Sequence, residues 1–118
     1  MYEIKVSAHF DAAHYLRDYD GPCARMHGHT WKVEAAVSGG ELGAGQMVID
    51  FHDLREVLRE VIAPFDHHCL NEIGPFEDSS PTSENIAKYI YDNIKSKVPA
   101  VKSVTVWETD TSVATYEE

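Results

Sequence analysis

The 118-residue sequence predicts an α+β fold, a four-stranded antiparallel sheet with two helices packed on one face. Two stretches near the start alternate apolar and polar residues, which is the period of half-buried strands. Two central stretches repeat apolar residues at helical spacing, and two β-rich stretches follow them. Because the helices follow one another and are not interleaved with strands, the order does not fit a parallel α/β fold.

The first two strands are predicted from alternation. Apolar side chains occupy every second position over residues 2–10, and the alternation resumes over 31–37 after a turn-rich stretch at 17–22. A loop with four glycines follows, and the apolar run 47–49 predicts a further short strand. We therefore expect two long strands and a short one before the first helix.

The first helix is predicted from apolar residues at i, i+3, i+4, i+7 and i+8 over residues 54–62. Asp50 or Asp53 can cap its start, because the first backbone N–H groups of a helix have no partner within the helix. Pro64 limits the far end. The helix therefore presents one apolar face for packing against the sheet.

The second helix begins where Thr82 or Ser83 can cap it, and its isoleucine stripe ends before Pro99. Two β-rich stretches, 101–108 and 112–116, then form a hairpin around a short turn. With both helices on one side, the other sheet face and the sheet edges are exposed in a monomer. We therefore expect an oligomer.

Composition limits the partners. The length suits one domain over residues 1–118, and 43% hydrophobic residues are typical of globular proteins. A net charge of −10 repels a phosphate backbone, so we expect no nucleic-acid partner. Without a bilayer-spanning apolar run or a signal-peptide core, we expect a cytoplasmic protein with no membrane partner. The two cysteines, Cys23 and Cys69, are then expected to be free thiols.

Three histidines form a candidate metal site. His27 and His29 share one face at the start of the second strand, because side chains alternate along a strand. His14 keeps the parity of the first strand, so pairing of the two strands brings it beside them. Three imidazoles without a fourth protein ligand are typical of catalytic zinc, with one coordination position open. The alternative for the His27 and His29 pair is an exposed strand face.

Further side chains suit proton transfer and ligand binding. Cys23 lies four residues before His27, close enough for a metal to favour its thiolate. Asp66 and His67 form a carboxylate–imidazole pair typical of general acid–base catalysis, with a polar loop as the alternative. Glu108 lies at the end of a strand rich in Val and Thr. Its carboxylate could accept hydrogen bonds from two N–H groups of a heterocycle, with a solvated strand end as the alternative.

Five segments in this order resemble the 6-pyruvoyl-tetrahydropterin synthase family: residues 10–14, 23–29, 66–71, 81–85 and 107–109. The resemblance covers essentially the whole chain. It is greatest to the branch that forms 6-carboxy-tetrahydropterin in queuosine biosynthesis, which resembles this chain in the spacing between Cys23 and His27. The family fold is the tunnelling fold. The resemblance therefore implies subunits that join their sheets into barrels, in a homohexamer that shares active sites between neighbours.

The resemblance also implies roles for individual residues. It implies that His14, His27 and His29 are ligands of Zn²⁺. Cys23 would be the catalytic base, with Asp66 and His67 as the proton relay. Glu108 would anchor the pterin ring and face away from the metal, and Thr82 and Ser83 would line the pocket. Family members often carry Lys before the catalytic Cys, and this chain has Pro22 there. Arg25 and Arg17 are therefore the candidates for gripping a triphosphate.

The implied substrate is a pterin triphosphate, 7,8-dihydroneopterin triphosphate. The implied products are 6-carboxy-5,6,7,8-tetrahydropterin, acetaldehyde and triphosphate. Three alternatives stay open at this point: formation of 6-pyruvoyl-tetrahydropterin, a zinc hydrolase with no role for Cys23, and a non-catalytic module that binds zinc or a pterin.

Overall fold

The computed structural model describes every residue from Met1 to Glu118 and confirms the α+β class. Its sheet has the strand order β3-β1-β2-β4-β5. The strands are β1, Tyr2–His14; β2, His27–Gly39; β3, His68–Cys69; β4, Val101–Thr109; and β5, Ser112–Glu117. The helices are α1, Phe51–Ile62, and α2, Ser83–Lys95. All neighbouring strands are antiparallel except β3, which runs parallel to β1.

Strands β1 and β2 form one long hairpin, in register from Tyr2 opposite Gly39 to His14 opposite His27. Their inward residues alternate with polar ones, and the inward set is buried. Phe10 and Trp31 pack in a stacked arrangement on this face, with ring centroids 5.9 Å apart. The alternation thus extends four residues beyond the predicted end of the first strand and carries histidines to the end of the hairpin.

Both helices pack on the buried face of the sheet. The apolar side of α1 places Leu54, Leu58 and Ile62 in the core, and α2 adds an isoleucine stripe. Burying each such side chain contributes about 1.5–3 kcal/mol. This burial fixes both helices over the sheet and sets where their ends lie.

Each helix is capped by one of the predicted residues. The Asp50 carboxylate accepts a hydrogen bond from the His52 N–H at 2.7 Å, and the Thr82 hydroxyl accepts one from the Asn85 N–H at 3.1 Å. Asp53 and Ser83 lie inside the first turns instead. The Thr82 cap places the preceding Pro81 next to the end of β1.

The predicted short strand at residues 47–49 is wrong. Val48 and Ile49 pack against the core, but their backbone joins no strand, and a 3₁₀ turn at Ala44–Gln46 precedes them. The short strand is β3 instead, where His68 and Cys69 pair with β1. Two residues are too few to show a period, so nothing in the sequence pattern indicates this strand.

The second face of the sheet is exposed and polar, as expected for a single chain. Ion pairs cross it, including Lys102 with Glu3 at 2.7 Å and Lys5 with Glu34 at 3.5 Å. Strand β5 and most of β1 have no partner strand along their outer edges, because β3 covers only two residues. Neither helix is both long and apolar enough to cross a membrane.

Candidate active site

The three predicted histidines meet at the end of the β1–β2 hairpin. His14 and His27 face each other across the hairpin with ring centroids 4.5 Å apart, and the His27 and His29 rings are 4.9 Å apart. Trp31 lies beneath them, with its ring centroid 4.8 Å from that of His14, and its indole N–H donates to the Ala12 carbonyl. Strand parity therefore brings the three imidazoles together on a rigid floor.

Backbone carbonyls fix which ring nitrogen carries the proton. The His14 Nδ1 lies 2.8 Å from the Pro81 carbonyl oxygen, and the His27 Nδ1 lies 2.7 Å from the Arg25 carbonyl oxygen. Because a carbonyl oxygen only accepts hydrogen bonds, each Nδ1 is the donor. Each Nε2 then presents its lone pair to the centre of the cluster, the arrangement found in metal-ligating histidines.

The Glu108 carboxylate points into the same cluster. Its Oε1 atom lies 3.0 Å from the Nε2 of His29, 3.2 Å from that of His14 and 3.8 Å from that of His27. Burial lowers the pKa of His14 below its ordinary value, so this ring favours the neutral form. A neutral His14 that donates through Nδ1 cannot also donate to Glu108.

The His29 Nε2 atom is buried and makes no hydrogen bond, although Glu108 is near. Buried polar atoms nearly always have a partner. An imidazole nitrogen that carries a lone pair and a carboxylate oxygen repel each other, unless a cation lies between them. The four ligand atoms lie within 4.8 Å of one another, and the donor set suits a divalent transition metal. The residues present therefore fit a metal ion.

The orientation of Glu108 differs from the expectation that it faces away from the metal. Strand β4 pairs Trp107 with Lys32, so the next residue stands beside Trp31 on the helix side of the sheet. Val104 and Val106 share this parity and are fully buried. The alternation of β4 alone was enough to predict this orientation.

Cys23 lies in the loop that leads into β2. It belongs to a 3₁₀ turn, Pro22–Ala24, and its side chain is half-buried and not disulfide-bonded. Its carbonyl oxygen accepts a hydrogen bond from the Leu16 N–H at 2.8 Å, which ties the loop to the chain just after His14. The sulfur does not join the cluster of possible metal ligands, so the thiol stays free for another role.

Asp66 and His67 form the predicted carboxylate–imidazole pair. The Asp66 Oδ2 lies 3.0 Å from the His67 Nδ1, and the Asp66 Oδ1 accepts a hydrogen bond from the Asp11 N–H at 2.9 Å. This backbone hydrogen bond and, second, the His67 imidazole lower the pKa of Asp66. His67 has a left-handed backbone, with φ of 60°, which only a fixed loop maintains.

Within one chain, this pair does not face the three histidines. Its ligand atoms lie within 4.8 Å of the Asp11 carboxylate, which points to the exposed face, while its neighbour Ala12 points to the buried face with His14. The His67 side chain is 78% exposed at the outer edge of the sheet. Within one chain, the structure therefore separates the Asp66–His67 pair from the three histidines, although the two groups are expected to act together.

The two arginines that are candidates for gripping a triphosphate differ in their contacts. The Arg17 guanidinium donates to the backbone carbonyls of Phe76 at 2.6 Å, Ser79 at 3.0 Å and Asn71 at 3.2 Å, so it is not free to bind a phosphate. Arg25 is exposed and has no ion pair.

The start of α2 borders the histidine cluster. Thr82 and Ser83 are half-buried, and the hydroxyl of Thr82 is used as the helix cap. Pro81 and Asn71 also belong to the surroundings of the site, through the carbonyl that holds His14 and through hydrogen bonds to Tyr15. Both residues lie in segments that resemble the family, but no spacing in the sequence predicts their contacts, which join distant loops.

The geometry first defines a class, a sheet protein with a possible metal site of three histidines and a glutamate at one end of a hairpin. The sequence matches the 6-pyruvoyl tetrahydropterin synthase family over residues 3–118, and the chain belongs to this family. A 6-carboxy-5,6,7,8-tetrahydropterin synthase from Haemophilus influenzae is 32% identical over 141 aligned positions, which cover 100% of both chains.

Two further relatives are similar over most of their length. A dihydroneopterin monophosphate aldolase from Pyrococcus furiosus is 36% identical over 104 positions, covering 86% of this chain and 84% of its own. The solved structure of a Caenorhabditis elegans 6-pyruvoyl tetrahydropterin synthase has a TM-score of 0.88 at 26% identity, covering 99% and 95% of the two chains. The fold is therefore the tunnelling fold, whereas the relatives' names cover three activities.

Proposed function

We propose that the chain is a zinc-dependent lyase that converts 7,8-dihydroneopterin triphosphate and one water molecule into 6-carboxy-5,6,7,8-tetrahydropterin, acetaldehyde and triphosphate, a step of queuosine biosynthesis. The observation that carries the proposal is the cluster of three imidazole Nε2 atoms around one Glu108 oxygen, in which the His29 Nε2 is buried without a hydrogen bond. The synthase from Haemophilus influenzae supports this branch, as does the short spacing between Cys23 and His27.

His14, His27 and His29 would hold the zinc ion. When bound, zinc supplies a Lewis acid that stabilises negative charge on oxygen atoms of the substrate side chain. The Nδ1 hydrogen bonds of His14 and His27 keep both rings in the tautomer that binds a metal. The Glu108 carboxylate lies beside the three Nε2 atoms and would attract the ion, and its expected role as the pterin-ring anchor stays a prediction.

Cys23 and the Asp66–His67 pair would move the protons. The Cys23 thiolate would remove a carbon-bound proton. His67, oriented by Asp66, would transfer protons at the neighbouring hydroxyl. Because the Asp66–His67 pair faces the exposed side of its own sheet edge, we propose that it completes the site of a neighbouring chain. The unpaired outer edges of β1 and β5 support assembly of several chains, as in the homohexamer that the family resemblance implies.

Arg25 would grip the triphosphate. Most basic side chains are already engaged: Lys5 and Lys102 bind carboxylates, and Arg17 binds backbone carbonyls. Arg25 has no ion pair, and its carbonyl holds His27, so its side chain starts from the edge of the metal site. With a net charge of −10, the protein needs such a local cation to bind an anionic substrate. Thr82 and Ser83 would line the pterin pocket beside it.

Product analysis tests the proposal. Zinc-loaded protein is incubated with 7,8-dihydroneopterin triphosphate, and the pterin and the small aldehyde are identified by mass. We expect 6-carboxy-tetrahydropterin and acetaldehyde in equal amounts. If 6-pyruvoyl-tetrahydropterin forms without an aldehyde, the branch is wrong and the 6-pyruvoyl reading replaces it. Binding without turnover would instead indicate a non-catalytic zinc or pterin module.

A further inference from the structure

The three residues after His14 are hydrogen-bonded to separate parts of the site. The Tyr15 backbone forms hydrogen bonds with the side chain of Asn71. The Leu16 N–H donates to the Cys23 carbonyl at 2.8 Å. The Arg17 N–H donates to the Ser80 hydroxyl at 2.9 Å. Residues 15–17 therefore connect the end of β1 with the Cys23 loop and with the segment that leads into α2.

Asn71 makes the most specific of these contacts. Its side chain is nearly fully buried, with 3% of the residue exposed. Its Oδ1 accepts the Tyr15 N–H at 3.0 Å, and its Nδ2 donates to the Tyr15 carbonyl at 2.9 Å. A side-chain amide has the same donor and acceptor as a peptide group. Asn71 thus continues the pairing of β1 beyond Cys69, where β3 ends.

The position of Tyr15 affects two groups of the proposed site. The preceding residue is His14, whose ring reaches the Pro81 carbonyl at 2.8 Å. The following residue is Leu16, which holds the Cys23 loop. Consecutive Cα atoms are about 3.8 Å apart, so a shift of the Tyr15 backbone is transmitted directly to both neighbours.

We propose that Asn71 is a positioning residue for the metal ligand His14 and for the Cys23 loop. By holding both polar groups of the Tyr15 backbone, its buried amide aims the His14 Nε2 at the metal centre. Its removal therefore weakens metal binding, beyond any loss of stability. This inference rests on the proposed zinc-dependent function.

Two variants and a control test the inference. Asn71→Asp keeps the acceptor for the Tyr15 N–H but places an oxygen against the Tyr15 carbonyl, and Asn71→Ser shortens the side chain and removes both amide contacts without adding charge. Ile90→Val is the control, because it removes one buried methyl group of the core on α2. For each protein, the zinc dissociation constant is measured by competition with a chelator, beside the midpoint of urea unfolding.

We expect both Asn71 variants to bind zinc about tenfold more weakly than wild type, while Ile90→Val keeps the wild-type affinity. Equal zinc affinity in the Asn71 variants and the control would overturn the inference. Failure of both Asn71 variants to fold, while Ile90→Val folds, would also overturn it in favour of a purely structural role. If the wild-type protein binds no zinc, the proposed function fails instead, which this design reports separately.

Discussion

The two titratable clusters of the chain differ in completeness. The proposed metal side, formed by three histidines and Glu108, is built on strands, packed on Trp31 and supported by backbone carbonyls. The proposed relay side, formed by Asp66 and His67 beside Asp11, lies exposed on a loop at the edge of the sheet. One chain therefore preorganises the histidine cluster, whereas the Asp66–His67 pair stays exposed, as the proposal of a site shared between chains requires.

The largest effect is expected on the metal side. In His27→Ala, we expect zinc content to fall far below one per chain and activity to fall at least about a hundredfold, because the Lewis acid is lost. Metal analysis and the acetaldehyde assay check this. His52→Ala, which removes an exposed histidine on α1, is the matched control and should change neither. Full zinc content in His27→Ala would remove this residue from the ligand set.

The next effect separates the thiol from the metal. In Cys23→Ala, we expect activity to fall by about 10²–10⁴-fold with zinc retained, since a general base contributes that factor and the sulfur is not a ligand. Cys69→Ala, the other free thiol, should keep nearly full activity. Turnover assays and zinc analysis of both variants decide the matter. An active Cys23→Ala protein would favour a zinc hydrolase.

A smaller effect is expected for the charge on Glu108. In Glu108→Gln, zinc binding should weaken about tenfold or more, because an amide no longer attracts the cation between the rings. The control is Glu34→Gln, which makes the same charge change on the open face of β2. Chelator competition measures both variants. Unchanged zinc affinity together with weaker pterin binding would return Glu108 to the ring-anchoring role.

The sequence predicts the positions of the metal-side residues better than those of the relay-side residues. Long alternation predicts β1, β2 and the meeting of His14, His27 and His29, because parity and register are sufficient. The direction of the Asp66–His67 pair depends on β3, whose two residues carry no period.

Two other outcomes have different causes. The apolar run at 47–49 is misleading, because those side chains pack on the core from a loop. The support of His14 by Pro81 and of Tyr15 by Asn71 joins residues more than fifty positions apart. No spacing rule predicts such contacts, which exist only after the helices have packed.

The smallest expected effect concerns stability on the relay side. The pKa of Asp66 is lowered in the folded chain, so its stabilising contribution is present at neutral pH. This contribution is lost as the pH falls below the ordinary value of 3.8 and through the lowered one. Metal-free Asp66→Asn should therefore be slightly less stable than wild type at pH 7, with a gap that closes in acid. Urea unfolding over a pH series measures it. A gap that widens in acid would contradict the assignment.

Mixing inactive variants tests most directly whether the two sides meet between chains. His27→Ala lacks the metal side, and His67→Ala lacks the relay side, so each alone should release almost no acetaldehyde. Refolded together in equal amounts, they should recover about a quarter of wild-type activity, because each half of a shared site is intact half the time. His27→Ala mixed with His29→Ala, both on the metal side, is the control and should recover none. A His27→Ala and His67→Ala mixture that is no more active than its components would contradict a shared site.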